Sequence, residues 1–82
     1  MIVHVELPDD TLAVARRGPD EVAREMRLAL AVRWYADAIV SQGAAAAVAG
    51  LSRAEFIDAL GRAGVSACQE TEDDIREALA GG

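Results

Sequence analysis

Gly43-Ala44-Ala45-Ala46-Ala47-Val48-Ala49-Gly50-Leu51-Ser52-Arg53-Ala54-Glu55-Phe56 is the stretch on which the fold turns. An alanine run opens after Gly43, Gly50-Leu51 interrupts it, and Ser52 with Glu55 spells the S-x-x-E capping box that starts a new helix. Along that helix Phe56, Ala59, Leu60 and Ala63 follow the i, i+3, i+4, i+7 rule and define a buried face, and Gly64 stops it. Gly43 to Ala49 and Ser52 to Ala63 therefore have the spacing of a helix-turn-helix. Ala46 is the small residue where the helices touch, Gly50 lies in the turn, and Leu51, Phe56 and Ala59 are the apolar positions behind it.

Working upstream, Asp20 to Val40 holds no Gly or Pro, with Asp20 as the expected N-cap and Glu21 in the first turn, where the helix dipole favours negative charge. A helix of that length rises about 31 Å, the whole width of a compact 82-residue domain. Of the 13 residues from Leu28 to Val40, 11 are apolar, and the two exceptions, Arg33 and Asp37, sit one turn apart on one edge. Such a helix needs cover nearly all round, and a second copy of the chain is the simplest source of it. The expected dimer contacts are Leu28, Val32, Trp34, Tyr35 and Ile39. Before this helix, Asp10 to Arg17 reads as two helical turns ended by Gly18-Pro19. Ile2 to Leu7 alternates, with Val3, Val5 and Leu7 on one face of an expected strand and Ile2, His4 and Glu6 on the other. Downstream, Val65 to Cys68 reads as a second short strand able to pair with the first, and Thr71 caps a last short helix carrying Ile75, Ala78 and Leu79. The expected class is mainly α of the α+β type, in one small domain. Residues 1–40 hold the strand and the dimerising helix, 41–64 the helix-turn-helix-like pair, and 65–82 an acidic C-terminal segment.

Composition narrows the function. The 82 residues are 52% hydrophobic but only 4% aromatic, the excess being alanine, and a chain this short buries only about 62% of its unfolded surface. Eight Arg and no Lys against fourteen Asp plus Glu leave a net charge of −6, which disfavours a surface attracted globally to nucleic acid or anionic lipid. One cysteine, Cys68, excludes an internal disulfide. The longest uncharged stretch, Ala38 to Ser52, is too short and too polar to span a bilayer, and no signal peptide is visible, so a cytoplasmic protein with no membrane partner is expected.

Among functional candidates, the second helix of the pair is poorly equipped as a DNA reader, because Arg53 and Arg62 are cancelled by Glu55 and Asp58. The DNA-contacting candidates are Arg53 at the helix start, Ser52 and Gln42 as neutral helpers, and Arg62. A strand, a short helix and a longer helix in the first 40 residues also fit a ribbon-helix-helix plan, whose outward face here would be Ile2, His4 and Glu6. Catalysis finds little support. A single His excludes a multi-histidine metal site, His4 has no partner for nucleophilic chemistry, and Glu70 near Cys68 disfavours the thiolate. Glu70, Glu72, Asp73, Asp74 and Glu77 lack the alternating spacing and glycine of a calcium loop. No enzyme activity, metal or cofactor is expected. With Arg76 these acids give residues 69–82 a net charge of −4, against −2 for residues 1–68. That acidic end suits a basic partner.

Leu28-Ala29-Leu30-Ala31-Val32-Arg33-Trp34-Tyr35, Ser41-Gln42-Gly43, Ala46 to Phe56 and Leu60-Gly61-Arg62-Ala63-Gly64-Val65 together resemble an uncharacterised family of small prokaryotic proteins that are antitoxin-like and often encoded beside a PIN-domain toxin. The resemblance covers about Ile2 to Val65. It implies a compact helical protein with a helix-turn-helix-like core, a role as antitoxin or transcriptional regulator, and a nuclease-fold partner. Where such proteins tend to carry a lysine just after the glycine of the first motif helix, this chain has Ala44, which removes a cation and leaves the packing pattern intact. The expected function is an antitoxin-like regulatory protein, a homodimer, that binds a PIN-domain toxin through Glu70, Glu72, Asp73, Asp74 and Glu77. The alternatives are a DNA-binding transcriptional regulator and a purely structural helical dimer.

Overall fold

The computed structural model describes residues 1–67. Four helices follow one another: α1 (Thr11–Ala15), α2 (Pro19–Ala36), α3 (Gln42–Ala49) and α4 (Arg53–Arg62). There is no strand among the described residues, which corrects the α+β expectation to an all-helical one. Each failed strand has a physical reason. The N–H of Val65 donates to the Leu60 carbonyl at 2.9 Å to close the end of α4. The Ala67 carbonyl accepts from the side chains of Tyr35 and Gln42. Two of the groups a second strand would offer a ladder are thus already used. Residues 2–7 have the alternating pattern but no hydrogen-bond partner among the described residues, and an alternating segment without a paired neighbour is not a strand. Cys68 and the expected C-terminal helix lie outside the described residues.

All four helices end the same way, with the N–H of one residue reaching back five positions and that of the residue before it reaching back three, a Schellman closure. The long bonds are Arg17 to Leu12, Ile39 to Trp34, Leu51 to Ala46 and Val65 to Leu60. The motif needs one residue with positive φ. Gly50 (φ 71°) and Gly64 (φ 74°) supply it at no steric cost, whereas Arg16 (φ 55°) and Ala38 (φ 58°) do so with a Cβ in the way. Ala38 explains why α2 stops at Ala36 instead of running to Val40. At the other end the helix starts one residue before the expected N-cap: Gly18 caps it, Pro19 takes the first helical position, and Asp20 falls into the first turn. Because Ala38 holds a conformation glycine prefers and is exposed, Ala38→Gly is expected to raise stability by about 0.5–1 kcal/mol. Denaturant titration would read this as a higher midpoint at unchanged slope, and a lower midpoint would contradict it.

The core is made by α2, α3 and α4. Ala31 and Tyr35 come from α2, Ala45, Ala46 and Ala49 from α3, and Phe56 and Leu60 from α4, with Leu28, Val32, Val40, Val48 and Leu51 packed around them. Four of these seven buried residues are alanines, all from α2 and α3. The two large rings meet edge to face, with 6.0 Å between the Tyr35 and Phe56 centroids and 85° between their planes. Of the expected α4 face, Phe56, Ala59 and Leu60 are buried, while Ala63 is exposed because the helix has ended by then.

Candidate functional site

Gln42 begins α3 and Arg53 begins α4, so the turn at Gly50 brings the two helix starts together. Ser41 caps α3 by accepting from the Ala44 N–H at 3.1 Å. Ser52 caps α4 reciprocally: its hydroxyl accepts from the Glu55 N–H at 3.1 Å, and the Glu55 carboxylate accepts from the Ser52 N–H at 2.9 Å. Across the gap Arg53 Nε donates to Gln42 Oε1 at 2.9 Å, and Gln42 Nε2 donates to the Ala67 carbonyl at 3.3 Å. The Tyr35 hydroxyl donates to the same carbonyl at 3.3 Å. Gln42 is only 9% exposed, with both ends of its amide engaged. This is a polar bolt joining α2, α3, α4 and the segment after α4. As built, it ties the helices together rather than presenting a reading edge.

Of the four candidate DNA contacts, Gln42, Ser52 and Arg53 lie together at the two helix starts, and Arg62 stands apart. Gln42 is buried, the Ser52 hydroxyl serves the cap, and Arg53 is half-buried against Gln42. Arg62 is exposed at the other end of α4, about 13 Å along the helix.

Of the expected dimer contacts, one is buried within its own chain. Tyr35 is 1% exposed and packs on Phe56 inside one protomer, so it cannot face a partner. Leu28 and Val32 pack against the core from its edge. Ile39 is 60% exposed beyond the end of α2. Trp34 is half-buried and lines an open cleft between α2 and residues 1–9. The acidic candidates from Glu70 to Glu77 lie outside the described residues. Among the described residues no three metal-ligating side chains cluster, and no helix is long and apolar enough to cross a membrane.

Arg27 is the position that sequence reasoning overlooked. Its Nε donates to the Val48 carbonyl at 2.7 Å and one terminal nitrogen to that of Ala47 at 3.3 Å, placing a cation on the last turn of α3, where the helix dipole is negative. The guanidinium also lies 3.2 Å from where a Cβ on Gly50 would sit, so a side chain there would crowd Arg27 as well as strain the backbone. The signal was present in the chain: Arg27, Ala31 and Tyr35 are spaced by four, on one row of α2.

The Ser52 hydrogen bonds, first from its backbone N–H and then involving its hydroxyl, hold the Glu55 carboxyl below the ordinary 4.5. A carboxyl depressed in the folded state stabilises the fold above its unfolded pKa, and this is lost as pH falls from about 4.5 through the folded value. Wild type should therefore melt above Glu55→Gln at neutral pH, with the gap closing on acidification. A gap that stays constant from neutral to acid would contradict the capping role.

A family model described as "Uncharacterised protein family (UPF0175)" matches residues 1–81. The chain belongs to that family. A "UPF0175 protein" of Aeropyrum pernix is 33% identical over 75 residues, covering 92% of this chain and 79% of the relative. No solved structure matches. Within UPF0175 membership, the bolt of Gln42 and Arg53 and the α3 clamp by Arg27 are features of this chain's own geometry.

Proposed function

We propose that this UPF0175 protein is an antitoxin-like regulatory protein that acts by binding another protein, a toxin of the PIN-domain nuclease type, and is not itself an enzyme. The observation that carries this reading is the state of α4. The helix that would enter a DNA groove has two arginines against Glu55 and Asp58, and the better placed of the two, Arg53, donates to Gln42. Nucleic-acid affinity draws heavily on phosphate attraction, and a neutral helix supplies little of it. The net charge of −4 over residues 69–82 favours a basic protein surface instead, with Glu70, Glu72, Asp73, Asp74 and Glu77 as the contacts. Co-expression with the product of the adjacent gene, followed by pull-down, tests the reading. A stoichiometric complex with a nuclease-fold protein is the expected result, and its absence counts against it.

One observation favours a DNA-binding regulator as the second reading. The α3–α4 pair has the turn glycine, the capped second helix and an arginine at its first position. Gel shifts at low salt on the protein's own upstream region would then show binding that Arg53→Ala weakens. Equal binding by both proteins would make the motif a packing device.

A further inference from the structure

Residues 2–7 form an alternating apolar segment, and no hydrogen bond among the described residues engages them. Val3 is 72% exposed, Val5 56% and Leu7 43%, although all three line a cleft of about 1090 Å³ whose opposite wall is Met26, Leu30 and Trp34 of α2. Both walls are apolar, and both are open to water. We propose that a second copy of this chain fills the gap. Residues 2–7 of two copies pair as an antiparallel ribbon with its dyad at Val5, and the Val3, Val5 and Leu7 face lies over α2.

The sequence of the arm selects this occupant and this register. In a symmetric antiparallel pair, opposing residues share a face, so only registers that place odd positions opposite odd keep apolar facing apolar. Two such registers use the arm. Centring on His4 would set His4 against His4 and Ile2 against Glu6. Centring on Val5 sets Val3 against Leu7, Val5 against Val5, and His4 against Glu6 twice, pairing a basic side chain with an acidic one. If the two Val5 residues exchange hydrogen bonds, so do the two Val3–Leu7 pairs, giving about six bonds. Pro8 then falls at a position where its missing N–H costs nothing. Its carbonyl already accepts from Thr11, where the chain turns into α1. Dimensions agree as well. A strand from Ile2 to Leu7 runs about 17 Å, and the α2 row Val22, Met26, Leu30, Trp34 about 18 Å. No other sequence is needed to complete the ribbon.

The test uses the full chain. Light scattering at micromolar concentration is expected to give twice the 8.6 kDa mass of one chain. Val5→Pro, which deletes the central N–H, should raise the dimer dissociation constant by at least about tenfold, with helical circular dichroism unchanged because no arm residue is buried. The register is read by cysteine pairing in a Cys68→Ala background. A mixture of His4→Cys and Glu6→Cys chains should oxidise to a linked dimer, since opposing non-hydrogen-bonded residues are about 4.5 Å apart. His4→Cys alone should not, because its own copy lies on the diagonal at about 7–8 Å. A wild-type monomer would overturn the proposal, leaving the arm to a different protein or to the chain's own remainder. So would a Val5→Pro dimer of undiminished affinity, or self-linking by His4→Cys.

Discussion

Phe56→Ala is expected to leave the chain largely unfolded at room temperature. Phe56 is fully buried, meets Tyr35 edge to face and is the largest side chain that α4 contributes to the core. Truncating a buried phenylalanine costs about 3–5 kcal/mol, because the transfer energy is lost and a cavity remains. The cavity would be poorly filled here, since the other fully enclosed members of the core, Tyr35 and Leu60 apart, are alanines too short to collapse into it. At the low end of about 0.05 kcal/mol per residue, a chain of this size has about 4 kcal/mol of stability in all. The cost matches the whole. Loss of far-UV helical signal and of a cooperative melt would be the observation, whereas a cooperative melt within a few degrees of wild type would contradict the assignment of Phe56 to the core.

The second large effect is overpacking at Ala45. This residue and Ala31 are both fully buried in the core that α2 and α3 share, and neither carries more than a methyl group. Ala45→Leu must push the helices apart or take a strained rotamer, at about 1–3 kcal/mol. In a domain this small that lowers the melting temperature by on the order of 10 °C. Ala44→Leu, one position away and exposed, is the control and should melt near wild type. Equal effects at the two positions would mean that α3 presents a different face to α2.

These positions show what the chain discloses before folding. The α3–α4 pair is legible because its signals are local: Gly50 for the turn, Ser52 and Glu55 for the box, and Phe56, Ala59 and Leu60 for the buried row. The end of α2 is not legible, because alanine seldom adopts the left-handed conformation that Ala38 takes, and nothing in its type announces it. Tyr35 resembled an outward contact because the helix is apolar nearly all round, and only the position of Phe56, 21 residues on, decides which side faces the core. The arm's period of two describes what a segment can do but not whether a partner lies beside it. Gln42 and Arg53 stand eleven residues apart in the sequence, each on its own a candidate reader of DNA. Their hydrogen bond to each other depends on the angle between two helices, which no local pattern encodes.

The central claim, that the protein works by contacting another protein through its acidic end, is tested most directly by calorimetric titration against the adjacent gene's nuclease-fold product. Wild type would be compared with a variant carrying Glu70→Gln, Glu72→Gln, Asp73→Asn, Asp74→Asn and Glu77→Gln, each at low and at high salt. Exposed charge pairs are screened over about 10 Å at 0.1 M salt. The account predicts that wild type binds and loses affinity as salt rises, and that the neutralised variant binds at least about tenfold more weakly with little salt dependence. Wild-type and variant affinities that are equal at low salt would contradict it.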